Sequence, residues 1–76
     1  MQRYKDFPIR TSAISTQQGT WLGTGVVLDP QSTVYRQIHR VETAKDFVFL
    51  TKEEAEQFAL KLCKAWIDRS AVYRTL

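Results

Sequence analysis

The chain is poor in the residues that usually announce a chemistry. Its single cysteine, Cys63, cannot close an internal disulfide, so no disulfide framework points to secretion. Its single histidine, His39, excludes a multi-histidine metal centre. No stretch approaches the roughly 18 apolar residues of a membrane span, and the start MQRYKDFPIR lacks the apolar centre of a signal peptide. A cytoplasmic protein without membrane association is therefore expected. Of three glycines, two form the GTG of residues 23–25, and these fall inside a predicted strand. A phosphate-binding loop needs its glycines between a strand and a helix N-terminus, so a bulge, a strong twist or clearance for Trp21 is the expected reading.

What remains is a small globule. Seventy-six residues with 43% apolar content suffice for one folded domain, 1–76. A chain this short buries only about 60% of its unfolded surface, so oligomerisation is an expected aid to stability. The net charge of +3 is uneven: residues 1–41 carry five basic and two acidic side chains, whereas residues 42–76 carry six of each. That bias is compatible with nucleic acid and far from a polybasic tail.

The pattern predicts an α+β fold, an antiparallel meander of three to four strands over about 4–50, followed by one C-terminal helix packed on one sheet face. YKDFPIRTSAIS alternates with period two, placing Phe7, Ile9, Thr11 and Ala13 on one side and Arg10 and Ser12 on the other. TQQG reads as a hairpin connection. TWLGTGVVLD is the next strand, with Leu22, Val26 and Leu28 assigned to the core and Trp21, Gly23 and Gly25 to the opposite face. After the DPQS turn come TVYRQIHRV, the connection ETAKD and a short fourth strand, FVFL. Thr51 with Glu54 three residues on forms a capping-box pattern, and Glu53, Glu54 and Glu56 suit the positive end of a helix over about 52–68, with a tail over 69–76. Ala55, Phe58, Ala59, Leu62 and Trp66 make the expected core stripe. Leu60, Cys63 and Ile67 widen the apolar arc to roughly 220°, wider than one sheet face demands, and this flank is expected to be covered by the C-terminal SAVYRTL or by a second copy in a homodimer.

Tyr4, Phe7, Ile9, Trp21, FLTKEEA (49–55) and AWID (65–68) together resemble short uncharacterised bacterial and phage proteins that place a C-terminal helix on a sheet. That resemblance implies the fold and no chemistry. A weaker likeness, through the threonine and EEA at the helix start, is to APETALA-type DNA-binding domains and the arm-binding domains of tyrosine recombinases. It implies a sheet laid in the DNA major groove, with Arg10, Trp21, Arg36 and Arg40 as the reading side chains. The chain departs from those domains in lacking a dense arginine run on its first strand.

Few residues are left for catalysis. Cys63 beside the apolar stripe reads as a buried thiol, the glutamates are explained by capping, and no pair of carboxylates faces across a cleft. A non-catalytic binding module is expected, self-associating through a sheet edge or the Leu60/Cys63/Ile67 flank, with no cofactor, metal or small-molecule substrate. The alternative is a nucleic-acid binder using Arg10, Trp21, Arg36 and Arg40.

Overall fold

A tight turn that the sequence pattern did not announce starts the sheet. The computed structural model describes residues 2–31, 33–43 and 48–74, with the backbone alone for 71–74. Strand β1 (Gln2–Tyr4) turns through Lys5 and Asp6 into β2 (Phe7–Ser15). Both turn residues have positive φ, 49° and 72°, the mirror-image turn whose twist matches paired strands. The turn is tied down from the helix: the Asp68 carboxylate accepts from Tyr4 Oη at 3.0 and 3.1 Å and from Lys5 Nζ at 2.7 Å.

Strands β3 (Trp21–Leu28) and β4 (Gln37–Glu42) complete a four-stranded antiparallel meander in the order β1-β2-β3-β4. The β2–β3 connection is closed by Thr16, whose N–H donates to the Thr20 carbonyl at 2.8 Å and whose hydroxyl accepts from Gln18 N at 3.2 Å. The β2–β3 register ends at Ile9↔Val27, next to Pro8, which has no N–H to extend the ladder toward β3. Of the expected third strand over 33–41, only Gln37 onward is extended and paired. Of the expected FVFL strand, Phe47 lies outside the described residues, as do residues 44–46 of the connection before it. Phe49 makes a single antiparallel bridge to Trp21.

Helix α1 (Lys52–Arg74) runs well past residue 68, so the expected separate tail is helical through Arg74. Thr51 caps its N-terminus as the sequence predicts: Glu54 N–H donates to Thr51 Oγ1 at 3.1 Å, and that hydroxyl, rather than the backbone N–H of the full capping box, donates to Glu54 Oε1 at 3.2 Å. Replacing Thr51 by Ala should cost about 1 kcal/mol, read by urea unfolding, with Thr51→Ser restoring most of it.

The helix seats on the sheet one step round from the expected stripe. Ala55, Ala59, Leu60, Cys63 and Ile67 are buried, whereas Phe58, Leu62 and Trp66 are half-buried flanks. The reason lies in β3. Gly23 and Gly25 face the helix, and a Cβ on Gly23 would run into the Ala55 carbonyl, while one on Gly25 would lie 2.6 Å from Cys63 Sγ. The small side chains of Ala55, Ala59 and Cys63, each one turn apart, descend into this glycine trough. Ile67 and Leu60 then meet Phe7, Ile9 and Val27 to make the core.

Two expectations are thereby corrected. The core-facing side of β3 is Trp21, Gly23, Gly25 and Val27 rather than Leu22 and Val26, whereas Leu28 of the same expected set is buried. Leu60, Cys63 and Ile67, expected on a flank awaiting cover, are the centre of the chain's own core and are not available to a second copy.

Candidate functional site

The four side chains expected to form one binding face are split between the two faces and a loop. Cross-strand register sets Arg10 opposite Val26 and Val26 opposite Arg40, so the two arginines share a row on the sheet face away from the helix, about 10 Å apart by strand spacing. Arg40 is held by Glu42 two residues along, at 2.8 and 3.0 Å. Trp21 lies on the helix side, opposite Ser15 and bridged to Phe49. Arg36 sits in the β3–β4 connection, where its carbonyl accepts from Asp29 N at 2.8 Å. Arg10 and Arg40 are thus brought together; Trp21 and Arg36 do not join them. Toward the β2–β3 connection the outer face continues with Ser12, Thr24 and Glu42 in one row and Ile14 and Leu22 in the next, and on the other side of the arginine row lie Pro8 and Leu28, both buried.

The titratable groups on the helix side are occupied structurally. Burial pushes the Cys63 thiol up to about 11, so no thiolate forms near neutrality. His39 stacks on Trp66, with ring centroids 4.4 Å apart and planes 7° from parallel. Burial, and after it the Arg69 charge, lowers the His39 pKa. Protonation therefore favours the unfolded chain, and His39's contribution is complete above the unfolded value and falls away as pH drops below it. Thermal midpoints of the wild type and His39→Gln should diverge above pH 7 and converge toward pH 5.

The Asp68 carboxylate is held below its usual pKa by the Lys5 hydrogen bond first and the Tyr4 hydrogen bond second. That contribution is present above the unfolded carboxylate value and disappears as pH falls through the folded one. Asp68→Asn should lower the thermal midpoint at pH 6, and the gap from the wild type should narrow as pH falls below the ordinary carboxylate range. Among the described residues no group of three or more His, Cys, Asp or Glu side chains is placed to hold a metal ion, and no helix is long and apolar enough to cross a membrane.

The sheet edge is where backbone chemistry is left unused. Among the described residues β1 pairs with β2 from Tyr4↔Phe7 to Gln2↔Ile9, whereas β2 continues six residues further, to Ser15. Parity fixes which groups are open. Thr16 N–H points toward β3, where it meets Thr20, so in an antiparallel ladder Arg10, Ser12 and Ile14 also direct their backbone groups to β3. Thr11, Ala13 and Ser15 therefore present N–H and C=O outward, and among the described residues no strand pairs with them. A cleft lined by Gln2, Ile9, Arg10 and Thr11 lies beside the Gln2↔Ile9 pair.

Natural edge strands are commonly guarded by lysine, proline, a bulge or an inward charge. The stretch Thr11–Ser15 has none of these, and Ile14 within it is 63% exposed. Sequence reasoning missed this edge because it missed β1, and a free edge is defined by where its neighbour ends. No protein-family model, curated protein or solved structure matches the chain.

Proposed function

We propose that this chain is a small non-catalytic interaction module that binds by strand addition along Thr11–Ser15 of β2. The observation that carries the reading is an uncharged, unguarded edge with three outward-facing backbone pairs beside a step in the sheet. Main-chain hydrogen bonds supply the affinity in this mode of recognition, and the alternating side chains supply selectivity.

The test is to pan random extended peptides against the protein and measure the selected binders on two variants. Ala13→Pro replaces an outward N–H with a ring at the edge and should abolish binding; Arg10→Ala, on the outer face, should leave it intact. A competing reading, a nucleic acid laid across the outer face, draws on the Arg10–Val26–Arg40 row alone. It predicts low-salt binding of DNA or RNA that weakens steeply with salt and is lost in Arg10→Ala while surviving Ala13→Pro. That second pattern would move the working surface from the edge to the face.

A further inference from the structure

Resting on the strand-addition reading, we infer that the strand added at this edge is β2 of a second copy, paired antiparallel about Ala13. The open edge is self-complementary in that register. Its outward residues are Thr11, Ala13 and Ser15, symmetric about Ala13, so Ala13 meets its twin and Thr11 meets Ser15 of the other copy. Each such pair exchanges two hydrogen bonds, giving about six in all.

The opening also has the right length. It is bounded at one end by Gln2, which occupies Ile9, and at the other by the connection beginning at Thr16. In this register the second copy's strand sets Ser15 opposite Thr11 and Thr16 opposite Arg10, so it ends one position short of Gln2, which lies opposite Ile9. A shift of two residues in one direction drives the strand into Gln2; a shift in the other direction leaves outward groups unpaired.

The side chains agree with the same alignment. On the helix side the twofold brings alanine to alanine and threonine to serine, a pairing of small and hydroxyl side chains that suits cross-strand contact. On the outer side Ser12 lies directly opposite the second copy's Ile14. The two Ile14 side chains become diagonal neighbours, within reach across a sheet. The most exposed apolar group of β2 is thus covered by its own image. No charged residue lies between Thr11 and Ser15, so no like charges meet. The product is a continuous sheet six strands wide, each β1 lying end to end with the other copy's β2 and both helices on one face, an isologous twofold contact of the commonest kind.

The contact is short, so it should form a concentration-dependent dimer rather than an obligate one. Sedimentation equilibrium of the full chain should show the mass rising toward two copies with concentration. Ile14→Lys, an exposed position whose change spares the core, should weaken the association at least tenfold, and Ala13→Pro should abolish it. Register is read by disulfide trapping. Residues directly opposite in a non-hydrogen-bonded pair have Cα atoms about 4.5 Å apart, inside the roughly 4.4–6.8 Å that a disulfide spans. A mixture of Ser12→Cys and Ile14→Cys copies should therefore cross-link as a mixed dimer under mild oxidation, well ahead of either variant alone; native Cys63 is buried and does not compete.

A monomer at every concentration overturns the second-copy inference and leaves strand addition to be judged by its peptide binders. A dimer lost in Ala13→Pro but trapped in another register overturns the Ala13 alignment while retaining the edge. A dimer untouched by both Ile14→Lys and Ala13→Pro overturns the second-copy pairing at this edge. If the peptide binders also ignore Ala13→Pro, the strand-addition reading falls with it.

Discussion

Gly23→Ala should destabilise the fold by about 3 kcal/mol, the upper part of the range for overpacking a close contact. In a domain of this size that is a fall of roughly 15–20 °C in thermal midpoint. The added methyl would meet the Ala55 backbone carbonyl, which belongs to the helix itself and cannot rotate aside. Relief requires lifting the helix from β3, and lifting it opens contacts along Ala55, Ala59 and Cys63 together. Gly25→Ala makes the informative comparison, because its methyl meets a side-chain atom, Cys63 Sγ, at 2.6 Å, with Val41 Cγ2 at 3.1 Å. Combining Gly25→Ala with Cys63→Ala should recover part of the loss, whereas Gly23→Ala has no side chain to trim. Differential scanning calorimetry of the four proteins reads this directly. Equal and small effects at both glycines would mean that the helix does not cross β3 there.

Ile67→Ala should cost about 3 kcal/mol and Leu62→Ala about 1 kcal/mol, in keeping with full burial at the first site and half-burial at the second. Ile67 is wholly inaccessible and packs in the cluster with Phe7, Ile9, Val27, Leu60 and Cys63. Deleting three of its carbons leaves a cavity bounded by the sheet on one side and the helix backbone on the other, neither of which closes easily. Leu62 stands one step round the helix and loses only a partial set of contacts. The opposite ranking by chemical denaturation would restore the stripe of Phe58, Leu62 and Trp66 as the core.

Those two predictions mark where the sequence was readable and where it was not. Strand alternation, turn chemistry and the Thr51–Glu54 cap each follow from local rules, and they place the meander and the start of α1. The facing of β3 does not follow from local rules. Its two parities are Leu22, Val26 and Leu28 against Trp21, Gly23, Gly25 and Val27, and counting apolar side chains favours the first set. What decides the matter is the close approach of a helix with small residues one turn apart, a tertiary contact that only glycine permits. The same contact rotates the helix, because an apolar arc of some 220° names no single centre until something fits into it.

Trp21 and Arg10 were expected together for the same reason and are separated by the same reversal. Arg10 and Arg40 share a face through their common neighbour Val26, a register that the alternation of residues 33–41 leaves open, since Ile38 and Val34 fall on the same parity as the arginines. The Lys5–Asp6 turn escaped because neither residue is the glycine or asparagine that usually marks a positive φ. With β1 unseen, the open edge beyond it had no boundary and could not be inferred.

Amide hydrogen exchange followed by NMR across a dilution series tests the central claim most directly, since the edge is a statement about individual N–H groups. In dilute protein Ser12 and Ile14 should be protected by β3, while Thr11, Ala13 and Ser15 exchange freely. As concentration rises, those three should gain protection together and in step with the mass. Fast exchange at all three in a sample that has dimerised would contradict the account, and so would protection of all three in fully dissociated protein.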